Sequence, residues 1–111
     1  LSKIGNADLL VISLAEHNGA YTTAFKNIFD WTSRINSKLF QSKKMLLMAT
    51  SDGARGGKSV LEIAENRFPR HDAEIVGVVS LPHFKDNFDK EKGIINPELN
   101  DKLIEIIRTI N

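Results

Sequence analysis

The chain has no cysteine among its 111 residues. That excludes disulfides, thiolate metal sites and cysteine nucleophiles. Nor does charge of one sign prevail: 15 Lys and Arg stand against 14 Asp and Glu, a formal net charge of +1. No broad field therefore points to nucleic acid or to an anionic membrane. No apolar run approaches the ~20 residues needed to span a bilayer. The histidines, His17, His71 and His83, are far apart and match no metal-ligand spacing. The opening, LSKIGNADLL, lacks a charged leader, a long apolar stretch and a small-residue cleavage site. It also lacks an initiator Met, so the expectation is a fragment or processed chain of a cytoplasmic protein. The apolar share of 41% and charged share of 26% are those of an ordinary soluble globular protein. Residues 1–111 are expected to form one domain.

What is present is an alternation. Leu9–Leu14 (LLVISL), Met45–Ala49 (MLLMA) and Ile75–Val79 (IVGVV) are uniformly apolar runs, which read as strands buried on both faces of a parallel sheet. A helix is expected from about Thr22 to Ile35, capped by Thr22 or Thr23, with Ala24, Phe25, Ile28, Thr32 and Ile35 on its buried face. A second is expected over Lys58–Phe68, with Val60, Leu61, Ile63 and Ala64 inward and Pro69 ending it. A third begins at the Asn96 cap with Pro97 and Glu98 in its first turn, then shows Leu99, Leu103, Ile106, Ile107 and Ile110 as an apolar stripe. Ser80–Gly93 reads as a long loop. The order β–α–β–α–β–loop–α indicates an α/β fold with right-handed crossovers. Three strands make a thin sheet for that class, a second indication of a partial domain.

Ligands of open parallel sheets bind beyond the carboxyl ends of the strands. Two loops follow strand ends: Ala15–Tyr21, with an Asn18-Gly19 turn signal, and Thr50–Gly57, with glycines at 53, 56 and 57. Both carry small residues and backbone N–H groups near helix starts, suited to anionic or carbonyl acceptors. Gly53 to Ser59 nearly matches the phosphate loop GxxxxGK[ST], but the first glycine would have to stand at Asp52. A carboxylate there would face the phosphates, so a nucleotide binder is the weaker reading.

Asp8–Ser13 with Glu16-His17-Asn18-Gly19, followed by Phe25-Lys26-Asn27-Ile28-Phe29-Asp30-Trp31, resembles the NADPH-dependent FMN reductase family. That family's loop usually reads Pro-Glu-Tyr-Asn before a Leu-Lys-Asn-x-x-Asp-Trp helix. Thr50–Gly57 is similar to its Ser-x-Gly-x-x-Gly-Gly loop. The two motifs come in the right order and spacing, and together are more specific than either alone. The resemblance implies a flavodoxin-like three-layer sandwich, here incomplete, with three parallel strands and flanking helices. It implies FMN, with Ala15, Glu16, His17, Asn18 and Gly19 lining one part of the ring site and Ser51, Asp52, Gly53, Gly56 and Gly57 the other. It also implies hydride transfer from NAD(P)H through FMN to a small acceptor: a quinone, an azo compound, a metal oxyanion or free flavin. No side chain need act as acid or base, because the flavin carries the chemistry, and no metal is implied. Arg55 is the candidate for an anionic substrate group such as a nicotinamide phosphate.

The departures are Ala15 for the usual proline and His17 for the usual tyrosine. The family's first strand and its phosphate-binding loop have no counterpart before Leu9. Weak or absent FMN binding by the chain alone, an open edge on the first strand and homo-oligomer formation are expected from that. Lys26, Asn27 and Asp30 read as local helix contacts, Trp31 as core or interface, and His71 and His83 as surface or loop residues. Phe84 and Phe88 are expected to cover core or reach a neighbouring subunit, and Lys85–Lys92 to be a solvated loop. The alternative reading is a flavodoxin-like electron carrier or FMN-binding module without NAD(P)H turnover.

Overall fold

The computed structural model describes residues 1–110. A short helix α1 (Ser2–Gly5) leads into strand β1 (Leu9–Leu14), then a small hairpin of β2 (Glu16–His17) and β3 (Ala20–Tyr21). Helix α2 (Thr23–Ile35), strand β4 (Lys44–Thr50) and helix α3 (Lys58–Arg67) follow, with a 3₁₀ turn over Phe68–His71. Strand β5 (Glu74–Leu81), helix α4 (Phe84–Asn87), a second small hairpin of β6 (Phe88–Asp89) and β7 (Gly93–Ile94), and helix α5 (Pro97–Thr109) complete the chain.

The main sheet is three-stranded and parallel in the order β1-β4-β5. It is the expected α/β arrangement, three parallel strands with flanking helices. β4 lies in the middle, which is why Met45, Leu46, Leu47 and Ala49 are all buried along one strand. Alternate residues of the sheet, Leu10, Ile12, Leu14, Met45, Leu47, Ala49, Ile75 and Val78, face a core completed by α2, α3 and the Leu39-Phe40 turn. Five aromatic rings concentrate there: Tyr21, Phe25, Phe29, Phe40 and Phe68, with Phe68 fully buried and 4.9 Å from Phe40. The three buried rings, Phe29, Phe40 and Phe68, each contribute about 1.5–3 kcal/mol by burial alone. On the opposite face α5 packs over β5, where Gly77 leaves room for the Ile106 side chain. β1 is an edge of the sheet, and Val11 on it is 55% exposed.

The register slips once. Met45 pairs with Ile75, but Leu46 pairs with Gly77, so β5 carries one extra residue at Val76. Beyond it Val78 and Ser80 fall on the core face opposite Leu47 and Ala49.

Caps form where the sequence places them. Thr22 Oγ1 accepts from the Phe25 N–H at 3.1 Å, and Asn96 Oδ1 accepts from Glu98 and Leu99. Lys26 donates to Asp30 at 2.9 Å along α2, as local helix contacts should. Several expectations are corrected. α2 buries Phe29 and half-buries Phe25, while Ile28, Trp31 and Ile35 are 67%, 66% and 77% exposed. Ile63 of α3 is exposed as well. His71 is buried at 7%: Arg67 Nε donates to its Nε2 at 3.0 Å and its Nδ1 donates to the Ser37 carbonyl at 2.7 Å. A histidine with both ring nitrogens satisfied is stable in a core. α3 itself ends at Arg67, one residue before the expected Phe68, and Pro69 lies in the 3₁₀ turn that follows. The expected Ser80–Gly93 loop holds the end of β5, α4 and the β6–β7 hairpin, with Phe84 stacked on Phe88 at 4.8 Å.

Candidate functional site

Because β1, β4 and β5 are parallel, the segments after Leu14, Thr50 and Leu81 emerge at one edge of the sheet. The first is the β2–β3 hairpin. Glu16 pairs with Tyr21 and His17 with Ala20. Asn18 and Gly19 connect them at φ +51 and +79. Two successive left-handed residues are what a two-residue turn needs to match strand twist, and Asn-Gly is the pair that tolerates it best. Ala15, His17, Asn18 and Gly19 are exposed at this tip, and a Cβ at Gly19 would meet nothing within 4 Å.

Glu16 differs. It is half-buried, and its Oε1 accepts the backbone N–H of Val60 at 2.7 Å. Val60 lies in the first turn of α3, whose N-cap residue is Gly57 and has no side chain to offer. A carboxylate at a helix N-terminus satisfies an orphan donor and meets the positive end of the helix dipole. The carboxylate expected at the ring site is thus engaged by α3.

The second segment, Ser51–Gly57, is held from the β5 side. Ser51 N–H donates to the Leu81 carbonyl, and the Ser51 and Gly53 carbonyls accept from Phe84 and His83 N–H, each at 3.0 Å. Ser80 Oγ donates to the Gly56 carbonyl at 2.9 Å. Asp52, Gly53, Ala54 and Arg55 are exposed, Ser51 is half-buried, and Gly56 and Gly57 are buried. A Cβ at Gly56 would lie 2.6 Å from Pro82 N, so that glycine answers to internal packing. A Cβ at Gly53 would have 3.8 Å to its nearest neighbour, which leaves that backbone open to a flat ligand. Arg55 Nη2 donates to Ser59 Oγ at 3.1 Å, and Asp52 lies 3.7 Å from Lys85 Nζ at the exposed rim.

Among the described residues, no hydrogen bond is donated by the backbone N–H of Asp52, Gly53, Ala54 or Arg55. The amides of Asp52, Gly53, Ala54 and Arg55 lie on exposed residues and are free to meet acceptors from outside the chain. The carbonyl oxygens and ring nitrogens of an isoalloxazine are acceptors of that kind. The residues present therefore fit a flavin ring.

Tyr21, at the foot of the hairpin, has a buried hydroxyl with no partner among the described residues. Burial pushes its phenol above its ordinary value, and the nearby Arg67 guanidinium opposes this in part. A groove of about 400 Å³ between α2 and α3 is lined by Tyr21, Asp30, Asn66, Arg67 and His71 among others. It lies on the helix flank, and neither the His17–Gly19 turn nor the Ser51–Gly57 loop contributes to it. No cluster of metal-ligating side chains occurs among the described residues, and no helix there is long and apolar enough to cross a membrane.

Sequence reasoning brought the two loops to one edge but missed the Glu16–Val60 bond and the anchoring by Ser80. Glu16 lies 44 residues from Val60, and no local pattern signals that pair.

Comparison with curated proteins finds no match. The model of one family, described as NADPH-dependent FMN reductase, matches residues 1–86, the span that carries β1, both loops and β5. With its flavodoxin-like arrangement of parallel strands and its two edge loops, the chain belongs to the NADPH-dependent FMN reductase family.

Proposed function

We infer that the chain holds FMN between the His17–Gly19 turn and the Ser51–Gly57 loop, within an NAD(P)H-dependent flavin reductase. Family membership supports flavin reduction at the expense of NAD(P)H in general. The observation that carries the site is the exposed run of amides from Asp52 to Arg55 beside an open Gly53. FMN, when bound, supplies the ring that takes hydride and passes electrons to a small acceptor: a quinone, an azo compound, a metal oxyanion or free flavin. The chain's own part is to bind and orient. Amides 52–55 meet ring acceptors, the His17 imidazole packs at the ring edge, and exposed Arg55 is placed for an anionic group of the nicotinamide substrate. We place this activity in the cytoplasm, where NAD(P)H is available.

The reading also includes association of copies through the apolar stripe on α2 or the open edge of β1, whose Ile28, Trp31, Ile35 and Val11 are exposed.

FMN titration followed by flavin fluorescence tests the site. NAD(P)H consumption with an added quinone tests turnover. Saturable binding that tightens in His17→Tyr, together with acceptor-dependent NAD(P)H loss, is the expected result. Binding without NAD(P)H loss would leave an electron carrier, and binding that neither His17→Tyr nor Gly53→Ala alters would end this assignment of the site.

A further inference from the structure

The two loops of the candidate site come from different strands, and their relative position needs a physical link. Ser51, Gly53 and Gly56 tie the second loop to the β5 side through Leu81, His83, Phe84 and Ser80. None of those bonds reaches the first loop. Its hairpin is only two residues per strand, and Tyr21 anchors the strand leaving the turn by packing on the Phe25, Phe29 and Phe68 rings. Glu16 anchors the strand entering the turn. It stands on the strand that enters the Asn18-Gly19 turn, and its carboxylate is fastened 2.7 Å from the Val60 amide. Val60 follows three residues after Gly57, the last residue of the second loop. One bond therefore fixes the foot of the hairpin to the helix on which the second loop ends.

We propose that Glu16 is a positioning residue: its carboxylate caps α3 at Val60 and so clamps the His17–Gly19 turn at a set height over the Ser51–Gly57 loop. This rests on the flavin reading for its consequence, though the clamp itself does not. Glu16 acts through the hairpin and α3 and need not touch the flavin. A carboxylate suits that position. An anion is the best acceptor for a first-turn amide, and an amide side chain of the same length is the next best.

The experiment compares wild type with Glu16→Gln and Glu16→Ala in two measurements. Amide hydrogen exchange without flavin reads the clamp. Val60 and the hairpin amides of residues 17 and 20 should exchange about tenfold faster in Glu16→Ala, the equivalent of ~1.4 kcal/mol, and close to wild type in Glu16→Gln. FMN titration and steady-state turnover then read the consequence. Glu16→Ala should raise the FMN dissociation constant about tenfold while kcat at saturating FMN stays near wild type, and Glu16→Gln should restore most of the affinity. The bound-flavin absorption spectrum should be the same in all three. Unchanged Val60 exchange in Glu16→Ala would overturn the clamp. So would a shifted flavin spectrum, or a loss of binding that Glu16→Gln fails to rescue, because those mark direct contact with the ring. If wild type binds no FMN, the exchange measurement still decides the clamp, apart from the flavin reading.

Discussion

An alanine at position 57 would have to adopt φ +79 and place its Cβ 2.6 Å from that of Ala49. The left-handed conformation alone costs an L-residue ~1–2 kcal/mol. Gly57→Ala is expected to lose about 2 kcal/mol or more in urea denaturation. Gly53, with no positive φ and open space beside it, should accept alanine within about 0.5 kcal/mol. On the flavin reading Gly53→Ala weakens FMN binding instead, so the pair separates packing from ligand access; equal destabilisation would contradict the geometry. Tyr21 offers a second test. Its buried hydroxyl has no partner among the described residues, so Tyr21→Phe should be neutral or stabilising by up to ~1 kcal/mol. The folded pKa of this phenol is raised above its ordinary value of 10.0. The neutral form is the one favoured in the fold, so its stability is complete below that pH and is lost as pH rises through the raised value. Alkaline denaturation should therefore be shallower in Tyr21→Phe than in wild type. At this scale the sequence was partly legible. Thr22 and Asn96 were readable as caps because their partners lie within three residues. His71 was misread because its partners, Arg67 and Ser37, come together only in the folded chain.

The elements show a similar division. Uniformly apolar runs announced all three main strands, since a buried parallel sheet leaves little place for polar residues. The small hairpins of β2–β3 and β6–β7 were read as loops, because strands of two residues have no period to detect. α2 is legible as a helix, but of its expected apolar face Phe25 packs on the core while Ile28 and Ile35 do not. It carries apolar residues on two adjoining faces: Phe25 and Phe29 against the core, and Ile28, Trp31 and Ile35 outside it. Spacing finds stripes, but it does not say which one the sheet will receive. The outer stripe follows i, i+3, i+7, the pattern by which one helix packs on another. Lys26 and Asp30 pair with each other at the opposite flank and stay clear of it. Association through this stripe makes a definite prediction for Trp31→Lys. Sedimentation should show a lower mass than wild type at equal concentration, with far-ultraviolet circular dichroism unchanged because the indole is 66% exposed. Unchanged mass would move the interface elsewhere.

Across the whole molecule, the order of elements and the edge at which both loops gather could be read in advance. How those loops are fastened could not. Chain order and strand direction are local properties, whereas Glu16 with Val60 and Ser80 with Gly56 are meetings between distant segments. The slip at Val76 shows how far such a detail reaches. Side chains alternate along a strand, so skipping one residue in the pairing reverses the inside and outside of everything after it. With the slip, Ser80 stands on the face of Ala49, where its hydroxyl meets the Gly56 carbonyl. Were β5 paired evenly, Val79 would stand opposite Ala49 and Ser80 would turn away. Ser80→Val places under the loop the kind of side chain that even pairing would deliver. That variant should keep its sheet by circular dichroism yet show a proteolytically labile 51–57 segment. Deleting Val76 leaves Ser80 opposite Ala49, so the same segment should stay resistant. The bulge sets a phase: whether one residue is counted or skipped decides if the strand delivers a methyl surface or a hydroxyl beneath the loop.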